Sequence, residues 1–174
     1  MSPDAIRDLL LPWLKEDLSW QSGTGDAFGV VPPRRWREAC QRLRDTAELS
    51  FDFLRSLAGV DRLADGTIEV VVHLFSYRHR HAFVLKTLLE RSHPVVESLA
   101  GVWPAAEWHE RELAELFGVR ITGHPDLRPL LLPEGWVGHP LRKDYRESDQ
   151  YLGIPTRRPH LQAGGDGAGS GEGR

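Results

Sequence analysis

The chain has 174 residues, 40% of them hydrophobic, which is enough for one domain with appendages. Its 22 basic and 25 acidic side chains leave a formal net charge of −3, which argues against a protein that binds nucleic acid regardless of sequence. The single cysteine, Cys40, excludes an intramolecular disulfide and cannot hold an iron–sulfur cluster, which needs about four thiolates.

The sequence contains no segment suited to crossing or entering a membrane. No apolar run approaches the roughly 20 residues of a membrane span. The first four residues, Met-Ser-Pro-Asp, do not begin the basic and apolar stretch of a signal peptide. We therefore expect a soluble, cytoplasmic chain whose membrane contact comes only through a larger complex.

The first third of the chain predicts two helices around a Gly- and Ser-rich stretch. Ser2 and Pro3 are typical of a helix start, and Pro12 should end that helix. Residues 28–31 favour a short strand. Pro33 then opens a second helix. Its apolar residues recur at helical spacing: Trp36, Ala39, Cys40 and Leu43.

The middle of the chain predicts a short helix followed by a β-hairpin. Residues 51–57 read as a helix that Gly59 stops. After the Asp65–Gly66 turn, residues 67–77 are β-branched and aromatic, which favours a strand. Residues 82–86 resume the apolar character beyond a polar turn. We expect these two segments to form an antiparallel hairpin within a mixed sheet.

The next segment predicts one strong helix with an edge strand behind it. Pro94 leads either a helix or a loop towards Trp103. A helix should run over residues 104–117 and end at Gly118. Residues 119–122 alternate like a short edge strand. Beyond that point the chain becomes irregular and rich in proline.

The predicted fold is therefore α+β, with a small mixed or antiparallel sheet, flanking helices, an extended C-terminal arm and a disordered tail. We divide the chain into an N-terminal helix and variable linker (1–29), an α+β core domain (30–122), a partner-binding arm (123–155) and a tail (156–174). Gly, Ala, Ser and charged residues dominate the end of the tail.

The helix over residues 104–117 raises the question of a buried carboxylate. At 100° per residue, one broad face carries Trp108, His109, Glu112, Leu113, Leu116 and Phe117. Glu112 would then need a partner or a proton, since an isolated buried charge is very costly. One interpretation is a general acid/base beside His109. The interpretation we favour is an ion pair with an arm residue, for which the candidates are His124, Arg128 and Arg142.

The histidines are better explained as hydrogen-bonded residues of turns than as metal ligands. His79 and His81 would share a strand face, whereas His109, His124 and His139 lie in or near the arm. No His-Glu-x-x-His pattern or cysteine pair accompanies them, so we favour turn histidines over a zinc or iron site. No glycine-rich phosphate loop is present, which argues against NAD, FMN or ATP binding by this chain. We predict no catalytic residue, bound cofactor or metal.

A spaced motif gives the chain a specific resemblance. Glu110-Arg111-Glu112 is followed after two residues by Glu115-Leu116-Phe117, after six more by His124, and after three more by Arg128. Gly-His-Pro-Leu-Arg-Lys-Asp-Tyr follows at residues 138–145. Over about residues 30–146 the chain is similar to the thirty-kilodalton subunit family of respiratory complex I, also called the C subunit of NADH–quinone oxidoreductase.

The resemblance implies a cofactor-free subunit in the hydrophilic arm of the complex, on the cytoplasmic face of the plasma membrane. It would pack against the large D subunit, the forty-nine-kilodalton type, and near the B subunit. Electrons would pass from NADH through FMN and iron–sulfur clusters in other subunits to quinone, coupled to proton translocation. By the same resemblance, eleven residues would fix the arm and its partner contacts: Glu110, Arg111, Glu112, Glu115, His124, Asp126, Arg128, His139, Arg142, Lys143 and Asp144.

Two alternatives remain at this point. In the first, the chain would be the equivalent subunit of a membrane-bound hydrogenase or of a ferredoxin- or F420-linked dehydrogenase. Alternatively, it is a freestanding small acid/base enzyme that uses Glu112 and His109. An enzyme should turn over alone, whereas a subunit should co-purify with larger, cluster-bearing chains.

Overall fold

The computed structural model describes residues 1–22 and 27–156. Helix α1 spans Pro3–Leu14, and the hydroxyl of Ser2 accepts a hydrogen bond from the amide of Ala5, as a helix start requires. The prediction that Pro12 ends this helix is wrong, because Pro12 lies inside it. Ile6, Leu10 and Leu14 are all buried on one face, so burial of the last turn favours continuing past the proline.

Five strands form the main sheet, in the spatial order β1-β2-β5-β4-β3. The strands are β1 Ser19–Gln21, β2 Phe28–Val30, β3 Phe53–Arg62, β4 Thr67–Ser76 and β5 His81–Glu90. Strands β2 and β5 run parallel, and the other neighbours run antiparallel. The predicted mixed sheet and its central β4–β5 hairpin are therefore confirmed. Strand β1 had no clear sequence signal.

Strand β3 replaces the short helix predicted for residues 51–57, so that prediction is wrong. The buried positions Leu54 and Leu57 are three apart, a spacing that favours a helix. In the structure a register shift between Leu54 and Ser56 inserts an extra residue opposite β4. A β-bulge of this kind lengthens the period of two by one residue. Gly59 does not end the element but lies within it.

Helix α2, Trp36–Asp45, follows a 3-10 turn at Pro33–Arg35 and packs into the core. Its predicted apolar residues are all buried: Trp36, Ala39, Cys40 and Leu43. They join α1 and the side chains of one sheet face, including Val70, Val72 and Leu85, in a single hydrophobic cluster.

Helix α3, Ala106–Phe117, packs on strand β3. Gly118 ends it with φ of 69°, as predicted. Gly59 permits this close packing, because a Cβ there would lie 2.6 Å from Cδ1 of Leu113. The segment after Pro94 is neither the helix nor the loop expected from sequence. It forms strand β6, Val95–Glu97, which pairs in parallel with the predicted edge strand β7, Arg120–Thr122.

The remainder of the chain folds back along α3 and ends in a small hairpin of β8, Gln150–Tyr151, and β9, Ile154–Pro155. The predicted division into four segments stays a prediction. Apart from Thr156, the predicted disordered tail lies outside the described residues. Among the helices in the described part of the chain, none is long and apolar enough to cross a membrane.

Candidate functional site

The buried carboxylate of α3 is Glu110, so the prediction that placed Glu112 there is wrong. Glu110 is 1% exposed, whereas Glu112 lies on the exposed side and Trp108 is 59% exposed. The buried residues are Ala106, Glu110, Leu113 and Phe117, a face turned by about one residue, roughly 100°, from the predicted one. Hydrophobicity alone does not place a carboxylate at the centre of a buried face.

Glu110 is held by groups from the segment after β6. The Ser98 hydroxyl donates to its Oε2 at 2.6 Å and the Leu99 amide donates to its Oε1 at 2.5 Å. Burial raises the pKa of Glu110, against the lowering effect of these two hydrogen bonds. Nε2 of His124 lies 3.9 Å from Oε2. An arm histidine therefore does meet a helix carboxylate, but the carboxylate is that of Glu110.

His124 fixes the first turn of the arm against the start of α3. Its Nδ1 accepts the Asp126 amide at 3.0 Å, so the ring proton lies on Nε2. That Nε2–H donates to the carbonyl of Glu107 at 3.0 Å. Asp126 in turn accepts from the amide and guanidinium of Arg128, and the Arg128 side chain lowers the pKa of Asp126 to about 2. These contacts close a tight turn.

Arg111 and Glu115 hold the arm where it passes α3. Arg111 donates to the carbonyls of Arg128 and Pro129 at 2.9 and 3.0 Å. The Glu115 carboxylate accepts three consecutive amides, those of residues 130–132, at 3.2, 2.8 and 2.6 Å. Both side chains therefore bind the backbone of the arm. These contacts do not use the side chains of the arm residues.

The second Gly-His-Pro turn caps the end of α3. His139 donates from Nδ1 to the carbonyl of Glu115 at 2.9 Å, and Arg142 donates to that of Phe117 at 2.8 Å. The amide of Leu141 donates to the carbonyl of Leu116 at 3.1 Å. The last carbonyls of a helix have no partner within the helix, and the arm supplies them here. Gly118 leaves room for the imidazole, since a Cβ there would overlap the ring of His139.

An ionic latch, formed by Asp61, Arg91, Lys143 and Asp144, fastens the arm to the sheet. Arg91 donates to both oxygens of Asp61, at 2.7 and 3.1 Å, and also to Asp144 at 2.5 Å. The amide of Lys143 donates to Oδ2 of Asp61 at 2.8 Å. The pKa of Asp61 is lowered, chiefly by the Arg91 hydrogen bonds. The residues next to Asp61 and Arg91 in the sequence give no indication of this pairing.

The structure thus brings together ten of the eleven predicted site residues along α3 and its C-terminal end. Lys143 contributes its backbone amide, and the others contribute side chains. Glu112 is the exception. Its carboxylate is exposed, and no hydrogen bond or ion pair joins it to His109 in the described part of the chain.

Four of the predicted turn histidines hydrogen-bond to backbone carbonyls. His79 and His81 contact the carbonyls of Ala47 and Leu49, each at 2.8 Å, as His124 and His139 contact those of α3. Within residues 1–22 and 27–156, no group of three His, Cys, Asp or Glu side chains is placed to hold a metal ion.

The outer surface of the arm carries apolar side chains that the described residues leave exposed. Leu131 is 60% exposed and Val137 is 74% exposed. Further exposed apolar residues on the arm and its terminal hairpin are Leu127, Leu141, Leu152 and Ile154. An array of this kind marks an interaction surface.

Comparison with known proteins agrees with this arrangement. The family model described as "Respiratory-chain NADH dehydrogenase, 30 Kd subunit" matches residues 30–151. The C subunit of an NADH-quinone oxidoreductase from Roseiflexus sp. (strain RS-1) is 47% identical over 121 residues, 69% of this chain and 70% of that one.

Two solved structures share the fold. A trypsin-resistant fragment of Nqo5 superposes with a TM-score of 0.60 at 24% identity, covering 70% of this chain and 98% of that one. A chain of the membrane-bound sulfane sulfur reductase, an archaeal respiratory membrane complex, gives a TM-score of 0.64 at 20% identity and covers 82% and 85%. With the sequence matches, the arm-fixing motif and the fold together, the chain belongs to the family of the respiratory-chain NADH dehydrogenase 30 Kd subunit.

Proposed function

We propose that this chain is a non-catalytic subunit of the hydrophilic arm of a proton-translocating NADH–quinone oxidoreductase. The main support is that the polar residues of the motif hold the arm against helix α3. Arg111, Glu115, His139 and Arg142 bind arm backbone or helix carbonyls. Residues that make such hydrogen bonds position the arm. The arm then presents its apolar side chains to a partner.

The proposal assigns FMN and the iron–sulfur clusters to other subunits. The only thiol of the chain, Cys40, is fully buried, and burial raises its pKa well above the ordinary value. A buried neutral thiol is a poor metal ligand, because the thiolate is the species that binds. Electrons from NADH would therefore reach quinone through neighbouring chains.

For the partners we propose the large D subunit against the arm, with the B subunit nearby. The hydrophilic arm of the complex would lie at the cytoplasmic face of the plasma membrane, with this chain attached peripherally. The preformed arm supports a stable contact, since little conformational freedom is lost when a surface that is already ordered binds.

The test is a pair of arm substitutions in the native complex. Leu131→Asp with Val137→Asp places two charges in the apolar surface without touching the hydrogen bonds that hold the arm. We expect the chain to keep its melting temperature and to be lost from the purified complex, with quinone reduction by NADH falling in parallel.

A matched control is Leu63→Asp, which changes a residue 44% exposed on the β3–β4 connection. This variant should assemble normally. Normal assembly and activity of the arm variant would contradict the proposal, and turnover by the isolated chain would favour the freestanding enzyme.

A second candidate differs in the electron donor. The alternative is a hydrogenase or a ferredoxin- or F420-linked dehydrogenase. The likeness to the sulfane sulfur reductase chain, at 20% identity, concerns the fold alone and does not favour that alternative. The purified complex should reduce quinone with NADH. Reduction only with ferredoxin or F420 would favour the second candidate.

A further inference from the structure

The tip of the β4–β5 hairpin carries a second surface, which the arm does not explain. We call it the tip patch: Phe53, Phe75, Tyr77, Arg78 and Arg80. Phe53 is 42% exposed and Tyr77 is 64% exposed, and both arginines are exposed. The Tyr77 ring lies edge-on to those of Phe53 and Phe75, with centroids 5.3 and 5.2 Å away.

Hydrogen bonds to neighbouring segments fix the shape of the tip. The amide of Tyr77 donates to Oδ1 of Asp52 at 3.0 Å, and that of His79 donates to the Ser76 hydroxyl at 3.1 Å. Arg80 adopts a left-handed φ of 52° while its amide donates to the carbonyl of Ser76 at 2.8 Å. The tip is thus ordered in the free chain, which lowers the entropic cost of binding.

The two arginines of the tip patch have no partner among residues 1–22 and 27–156. Among the hydrogen bonds and ion pairs of the described residues, none involves the guanidinium of Arg78 or Arg80. In contrast, Arg91, Arg111 and Arg142 all hold other parts of the chain. Exposed arginines beside exposed aromatic rings are the composition in which binding energy concentrates at protein interfaces.

The tip patch is separate from the arm. Phe53 begins strand β3, and Asp61, where the latch holds the arm, lies eight residues further along the same strand. At about 3.3 Å per residue the two points are roughly 25 Å apart. A partner segment bound at the tip patch therefore makes contacts additional to those of the arm.

We propose that the tip patch is a second docking surface, and that it binds a carboxylate-bearing segment of a partner protein. A free guanidinium pairs most specifically with a carboxylate, through two parallel hydrogen bonds. The aromatic rings of the tip patch would pack against apolar residues that flank this carboxylate in the partner segment.

The charges around the tip favour an acidic protein segment over an anionic membrane. Asp52 lies within the tip, and Glu48 follows Ala47, whose carbonyl contacts His79. Together with Arg55, Arg78 and Arg80 these carboxylates leave a single net positive charge. An anionic membrane surface is attracted by the net charge of the tip, which is small. A carboxylate in contact with one guanidinium interacts mainly with that group.

Zero-length cross-linking of the native complex tests the proposal. The double variant Arg78→Lys with Arg80→Lys keeps the charge and supplies amines, which a carbodiimide couples only to carboxylates in contact. We expect peptide mass spectrometry to find position 78 or 80 joined to an Asp or Glu of another subunit. Arg34→Lys is a positive control for the reagent, because Arg34 contacts Asp17 of the same chain.

Charge reversal provides a second readout. Arg78→Glu with Arg80→Glu should leave the melting temperature of the isolated chain unchanged, since both side chains are exposed. Retention of the chain in the complex during a moderate salt wash should fall by about three- to tenfold.

Three results would overturn the proposal. The first is cross-links that are absent or reach only carboxylates of the same chain. The second is unchanged retention after charge reversal. The third is binding to phosphatidylglycerol vesicles, but not to phosphatidylcholine vesicles, that is abolished by charge reversal. The last result would assign the tip to a membrane.

Discussion

Two buried carboxylates hold the chain together in different ways. Asp61 pairs with a guanidinium, which lowers its pKa, whereas Glu110 accepts hydrogen bonds from a hydroxyl and an amide in a buried site, and burial raises its pKa. The first is an ion pair that favours the charged form. The second is a hydrogen-bond acceptor whose own charged form is disfavoured by burial. Their contributions to stability therefore depend on pH in opposite directions.

Replacing Asp61 tests the latch. Asp61→Asn keeps the shape but removes the charge opposite Arg91, and breaking a buried ion pair costs about 3–5 kcal/mol. We expect about 3 kcal/mol from urea unfolding at pH 7, because Arg91 keeps Asp144. Since the folded-state pKa of Asp61 lies below the ordinary 3.8, the advantage of the wild type is present above that pH.

That advantage should disappear as the pH falls through the folded-state pKa, so the two curves converge in acid. Asp65→Asn is the matched control, as Asp65 is exposed in the β3–β4 connection, four residues beyond Asp61. A difference between wild type and Asp61→Asn that persists unchanged in strong acid would contradict an ion-pair role.

At the scale of elements, the arm depends on a single carboxylate for three of its amides. Glu115→Ala leaves the amides of residues 130–132 without their acceptor. Each hydrogen bond to a charged group contributes about 1.5–3 kcal/mol, so the loss of three should make local opening at least about 10-fold more frequent, even where the freed amides regain water. Chymotrypsin cleavage after Leu130 or Leu131 should accelerate by that factor.

Glu112→Ala provides the control on the same helix, because Glu112 is exposed and should leave the cleavage rate unchanged. Equal acceleration in both variants would show that helix stability, rather than the Glu115 contact, holds the arm.

Elements with a regular pattern were predictable from sequence. Helix α2 and the β4–β5 hairpin follow the spacing of their apolar residues, and Gly118 marks the end of α3. Strand β3 was missed because a bulge near Leu54 changes the period of two to a spacing of three. A local pattern does not contain that bulge, since its register is defined against β4.

The candidate site was predictable as a set of residues but not as a geometry. The motif named the residues that hold the arm, yet the buried face of α3 was misjudged because Trp108 is apolar and exposed while Glu110 is charged and buried. The guanidinium of Arg111 lies over the Trp108 ring, 5.2 Å from its centroid. The partners of Asp61 lie 30 and 82 residues away, which no local pattern contains.

The whole molecule consists of one core with an arm fastened along it. A single hydrophobic cluster joins α1, α2, the inner face of the sheet and α3. The arm is attached mainly through hydrogen bonds and the latch. We therefore expect the arm to detach locally while the core unfolds only as a unit, a division that Cys40 can report because it lies in the core, 0% exposed.

Thiol labelling should separate these two events. With its pKa raised mainly by burial, the native Cys40 thiol should react with a pulsed thiol reagent only when the core unfolds. Glu115→Ala should leave this rate unchanged while chymotrypsin cleavage rises. Gly59→Val should increase labelling by about tenfold or more, because the new side chain meets Leu113 and Phe117 and overpacking costs about 1–3 kcal/mol. Ala58→Val, on the exposed face of the same strand, serves as the control. Labelling that rose in step with cleavage in Glu115→Ala would mean that arm and core open together.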